Sequence, residues 1–328
     1  MSAWDEPQPY QARRLAVIDS IQPAIERTKA MLFGPMVFGI WLRFGAIAFF
    51  EQLSRGGGSF NINMGASDGV PDDFGESFEE FLDTALGILA DYAPFIIGTI
   101  VILFLFAILF RYLSCRAEVM FARGCAVGAT SLTMDWRETR SSGNSLFGFH
   151  LLLLGLGLVV MILCGLLLYA AVLVRHDFAT MLPWLILLGI VVFFATIFFG
   201  LADSLTRQFV TPIMVRDNQG WQAAWGKVGP VLLANILPLL GYYLLKMVFW
   251  MFAGFIFMIV GCATLCIAFL PGVHQTIFAP VYVFERNWTM VMLHYLGPGF
   301  EVFHETEPID EGPNDEGRRL DPAPWEQT

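Results

Sequence analysis

Between Met181 and Trp225 the chain passes from unbroken hydrocarbon into an amphipathic, charge-bearing helix: MLPWLILLGIVVFFATIFFGLADSLTRQFVTPIMVRDNQGWQAAW. This stretch limits the fold more than any other. A helix satisfies its own backbone hydrogen bonds in lipid, so a long apolar run that turns polar at one end reads as a helix leaving a bilayer. The composition agrees with this. The chain of 328 residues is 56% hydrophobic and 15% charged, against about a quarter charged for a soluble domain.

Other segments repeat the pattern. Tyr92–Phe110 is nineteen uncharged residues, close to the roughly twenty needed to cross the hydrocarbon. After Lys246 come thirty-eight uncharged residues ending at Phe284. As one helix they would measure about 57 Å at about 1.5 Å per residue, so a fold-back at Leu270-Pro271-Gly272 is expected. The expected fold class is all-α: a polytopic transmembrane helical bundle of about six spans, with interfacial amphipathic helices. The spans fall near 33–50, 92–112, 149–174, 179–202, 243–269 and 272–294, within a membrane domain covering 33–298. Before it lie a loose polar terminus, 1–12, and an amphipathic helix, 13–32, with Leu15, Ile18, Ile21, Ile25 and Leu32 at helical spacing. An acidic, Gly-rich external loop spans 54–91, and a disordered acidic tail spans 299–328. Acids in the first thirty residues argue against a cleavable signal peptide.

Basic residues set the expected sidedness. Arg13, Arg14, Arg27 and Lys29 fall on one side, as do Arg111, Arg116, Arg123, Arg137, Arg140, Arg207, Arg216, Lys227, Arg286, Arg318 and Arg319. Only Arg55 and Arg175 fall on the other. Both termini are therefore expected in the cytoplasm, with the protein in the cytoplasmic (inner) membrane.

Three times a returning span runs on as a helix bearing an acid and a base: Arg116, Glu118 and Arg123; Asp203 and Arg207; Glu285 and Arg286. QFVTPIMV (208–215) and TIFAPVYV (276–283) also share a proline after an aromatic-apolar run. This predicts three pseudo-repeated helical hairpins. Asp203 and Arg207, at i and i+4, are placed to pair on one helix face. Arg43 and Lys246 lie in or beside spans, where an arginine costs about 2.5–3.5 kcal/mol even on permissive scales. Arg43, Arg116, Glu118, Asp203, Arg207, Lys246, Glu285 and Arg286 are thus the candidates for a polar layer or for headgroup contacts.

Known catalytic patterns are missing from the sequence. The five histidines are scattered, and there is no G-x-S-x-G, P-loop or H-E-x-x-H. The five cysteines are odd in number and mostly in apolar runs, so they form no disulfide framework. Cys262 and Cys266 share a helix face without further ligands, and DGVPDDFGE misses the EF-hand spacing. No metal, no cofactor and no enzymatic activity are expected. Nucleic acid is excluded as a partner for want of a basic patch. The expected partners are membrane lipid and another membrane protein.

LFGPMVFGIW (32–41), GNSLFGF (143–149), FVTPIMV (209–215) and APVYVFERNW (279–288) before LGPGF (296–300) resemble uncharacterised bacterial polytopic membrane proteins. That group is similar to the membrane domain of some glycerophosphodiester phosphodiesterases. The resemblance implies a six-span inner-membrane protein and carries no catalytic residue over. The functional expectation is a non-enzymatic scaffold or modulator of a membrane partner. The alternative is a transporter or lipid-handling protein.

Overall fold

The computed structural model describes residues 16–34, 38–53, 74–128, 130, 132–174, 178–265, 267–297 and 299–303. The expected loose terminus 1–12, the Gly-rich part of the acidic loop and most of the tail lie outside these residues. Two helices open the fold, α1 (Ile21–Phe33) and α2 (Phe38–Leu53), turned 117° from each other. The long α3 (Phe74–Val127) is followed by the short α4 (Leu132–Glu138) and by α5 (Arg140–Val174). α6 (Phe178–Leu205) runs through a π-helical turn, Thr206–Val210, into α7 (Thr211–Asp217). α8 (Trp221–Ala234) and α9 (Ile236–Ala263) come next, then a 3₁₀ turn at Ile267–Phe269, α10 (Val273–Ile277) and α11 (Ala279–His294). Every regular element among the described residues is helical, as the apolar periodicity requires.

Four helical stretches are long and apolar enough to cross a membrane: Pro94–Val127, Arg140–Tyr169, Ile186–Asp217 and Ile236–Ala263. By length and composition this is a multi-pass membrane protein. α1 and α2 make a fifth candidate if the bent pair counts as one span. The sixth expected span, 272–294, is divided at Phe278 into five residues of α10 and sixteen of α11. A sixteen-residue helix is about 24 Å long, short of a hydrocarbon core of about 30 Å. The chain does turn back where expected, with Gly272 at φ +84°, a conformation glycine adopts without a Cβ clash.

The molecule has two zones. One is close-packed and contains Ser114–Ala122 of α3, Leu146 of α5, Phe209–Met214, Val228 of α8, Tyr242 of α9 and nearly all of α11. α1 lies along α11 through Ala24, Thr28, Met31 and Leu32, while α2 packs on α3 and α10. The other zone is the apolar length of the spans. The most apolar windows of the first three are 0% buried and that of α9 is 11% buried. Leucine and phenylalanine left uncovered on this scale belong out of water.

Candidate functional site

α2 is apolar except for Arg43, Glu51 and Gln52. Glu51, near its C-terminus, is 2% exposed. Its Oε1 accepts from Arg207 Nε at 2.7 Å and from Arg286 Nη2 at 2.8 Å. Ser114 Oγ donates to its backbone carbonyl. The Glu51 carboxylate therefore ties α2 to the π turn and to α11, and its backbone carbonyl ties it to α3. On α11, Glu285 Oε1 takes Lys246 Nζ of α9 at 2.6 Å and Gln208 Nε2 at 2.7 Å. Thr289 Oγ1 donates to Gln208 Oε1 at 2.9 Å and lies 3.1 Å from the Tyr242 hydroxyl. Charges removed from water are tolerated when paired and hydrogen-bonded, and these cations and carboxylates answer each other. Burial disfavours the ionised form of Glu285, but Lys246, Arg207 and Arg286 outweigh it and hold the carboxyl down at about 2.

The π turn explains how this cluster closes. Thr211 N–H reaches back to Thr206 O, and the Thr211 hydroxyl oxygen lies 3.1 Å from the same carbonyl. The widened turn leaves Arg207 O open to Arg286 Nη1, which donates to it. Such turns recur where a helix must present side chains out of its ordinary register.

A second polar group lies beside the first. Asp203 Oδ1 of α6 accepts from Arg111 Nη2 of α3 at 2.7 Å and lies 2.9 Å from His150 Nε2 of α5. His150 Nδ1 is 3.0 Å from Leu146 O. The His150 side chain is 3% exposed, whereas Arg111 and Asp203 keep 26% and 30%. All three line a crevice of about 980 Å³ between α3, α5 and α6. Its other walls are apolar, among them Phe104, Leu154, Gly157, Met161, Phe199 and Gly200. Phe104, Leu154 and Met161 are exposed, so the crevice opens sideways where lipid would lie.

Of the expected polar layer, Arg207, Lys246, Glu285 and Arg286 converge on the Glu51 cluster. Asp203, expected to pair with Arg207 along one helix face, bonds instead to Arg111 and His150 from other helices, while Arg207 turns its Nε to Glu51. Glu118 accepts from Thr211 Oγ1 at 2.8 Å. The Arg116 guanidinium stacks 4.2 Å over the Trp136 ring and donates to that residue's carbonyl. Arg43 is exposed and donates to Thr130 O at 3.1 Å, outside both polar groups. The sequence reading passed over Glu51, Gln208, Arg111 and His150 as ligands. The available signal was position: Glu51, Arg111 and Asp203 each end an uncharged run, and His150 begins one. Among the described residues no three His, Cys, Asp or Glu side chains are grouped to hold a metal ion.

A family model described as a family of unknown function (DUF7544) matches residues 15–303. Neither the curated proteins nor the solved structures give a match. The family match carries no link to glycerophosphodiester phosphodiesterases and no sign of a bacterial source.

Proposed function

We propose that this chain, which belongs to the DUF7544 family, is a non-enzymatic membrane protein that binds a membrane lipid between α3, α5 and α6. The observation that carries the reading is the lateral crevice of about 980 Å³, apolar along its length and closed at one end by Arg111, Asp203 and His150. Its dimensions and lining suit an amphiphile with its tail in the groove and its head at the charged end. The charges also stand at headgroup depth. Arg111 and Asp203 follow directly on the uncharged runs Tyr92–Phe110 and Phe178–Ala202. From His150 to Met161 the groove runs eleven residues along α5, about 16 Å at about 1.5 Å per residue.

The scaffold reading draws on the same surfaces. The uncovered faces of the four spans suit a protein partner as well as lipid. The crevice favours lipid binding, because it joins an apolar groove to a charged end and a flat docking face does not. The basic residues support an inner-membrane location with the packed zone and both termini in the cytoplasm. A bacterial source and kinship with the phosphodiesterase membrane domain belong to the same proposal.

Gly157 and Gly200 provide the test. A Cβ on Gly200 meets nothing within 4 Å, and one on Gly157 meets only the Phe199 ring edge at 3.9 Å. Gly200→Leu therefore fills the groove without breaking the helix, and it removes a glycine from a helix interior. Native mass spectrometry of the protein released from mild detergent should find lipid on the wild type and much less on Gly200→Leu, at a thermal stability no lower than that of the wild type. Equal lipid on both, or none on either, contradicts the proposal.

A further inference from the structure

The charged end of the crevice carries one cation and one anion side by side. We infer that it selects a phospholipid whose headgroup joins a phosphate to a protonated amine, over lipids that are anionic or lack N–H donors; this inference rests on the lipid-binding reading above.

The argument is one of charge complementarity. Arg111 and Asp203 are 2.7 Å apart and both reach the crevice with about a quarter or more of their side-chain surface still accessible. A guanidinium is planar, permanently charged and forked, which matches phosphate oxygens. A carboxylate accepts only, and a primary ammonium supplies up to three donors. A headgroup carrying both charges can set its phosphate against Arg111 and its amine against Asp203. An anionic lipid without an amine brings its phosphate to the same guanidinium but adds a negative charge beside the Asp203 carboxylate and no donor for it. A trimethylated amine keeps the charge but has no N–H to give. His150 supports this geometry from behind. It is enclosed, it is 2.9 Å from the Oδ1 atom that Arg111 also holds, and its other ring nitrogen is against Leu146 O. The carboxylate is thereby fixed in orientation rather than free to swing with the headgroup.

The buried Glu51 cluster offers no such end. Glu51 and Arg286 are each 2% exposed, and their partners are other segments of the same chain. The polar hollow between α3, α4 and α7 holds Arg123 and Arg216. Arg123 already faces Asp135 and Glu138, and Arg216 faces Asp217, so both cations of that hollow are answered within the chain, and Glu138 itself lines it.

The experiment uses the full chain in nanodiscs containing equal parts of phosphatidylethanolamine, phosphatidylcholine and phosphatidylglycerol, with retained lipid identified by native mass spectrometry. The expected result is retention of phosphatidylethanolamine at least about fivefold above either competitor. The double variant Arg111→Gln/Asp203→Asn, which stays neutral at this position, should still retain lipid but without preference. Equal retention of the three lipids by the wild type overturns the headgroup inference and leaves the lipid-binding reading standing. Retention that Gly200→Leu does not reduce overturns both. A preference that survives in the double variant also overturns the inference, since the selecting groups would then lie elsewhere.

Discussion

Glu51 receives Arg207 and Arg286 on one oxygen, the second from a residue 235 positions away. Removing a partner from a buried ion pair leaves uncompensated charge and typically costs about 3–5 kcal/mol. Glu51→Ala should therefore lower the thermal midpoint in detergent sharply. Glu51→Met combined with Arg286→Met should cost less than Glu51→Ala alone, because it leaves fewer charges stranded. A double variant no more stable than the single would show that the pair is not coupled. Glu285 sets an acid limit. Its carboxyl is held at about 2, below the ordinary value near 4.3. Its stabilisation is fully present above the unfolded value and is lost as pH falls from there towards about 2. The wild-type midpoint should fall through that window, and Glu285→Gln should start lower and lose less on acidification. At this scale the sequence was half legible. It singled out Arg207, Glu285 and Arg286 by the acid and base repeated after returning spans, and Lys246 because a charge beside a span is costly. It missed Glu51 because a carboxylate at a helix end looks like an ordinary exit into water, and its partners are distant in the chain.

Helix existence was readable and helix register was not. The uncharged runs fixed α3, α5, α6 and α9, since their apolarity needs no partner to be recognised. The expected Asp203–Arg207 pairing assumed an unbroken α-helix, but the widened turn at Thr206–Val210 begins between the two residues. α11 looked like a span because its apolar residues resemble those of a lipid-facing helix. In the fold they face protein, including α1, along nearly the whole element. Close approach marks where elements seat on each other. A Cβ on Gly45 would fall 2.6 Å from Thr276 Cα, so α2 and α10 meet there backbone to backbone. Gly45→Ala should cost about 1–3 kcal/mol through overpacking. Gly98→Ala, where a Cβ meets nothing within 4 Å, should be neutral or slightly stabilising. Paired thermal melts in detergent check this, and equal effects at the two glycines would refute the close seating.

On the scale of the whole molecule, a packed end studded with paired charges carries four apolar helices whose flanks need lipid. The amphipathic pattern at 13–32 predicted a helix, and α1 forms over Ile21–Phe33. Of the face that hydropathy favoured, Leu32 is buried, Ile21 and Ile25 are half-buried and Ile18 is exposed, while Ala24, Thr28 and Met31 complete the buried side. Small residues and a threonine pack against another helix more closely than isoleucines do, and a hydropathy pattern does not record that. The crevice was illegible for a related reason: its lining is drawn from three separate helices, and no single segment encodes their meeting. Its occupancy is the central claim. A photoactivatable phospholipid incorporated in nanodiscs, with its crosslinks mapped by peptide mass spectrometry, tests it most directly. Labelling concentrated at Leu154–Met161 and Phe199–Asp203, and suppressed in Gly200→Leu, is the predicted result. Labelling spread evenly over the outer faces of α5, α6 and α9, and unchanged in that variant, would contradict it.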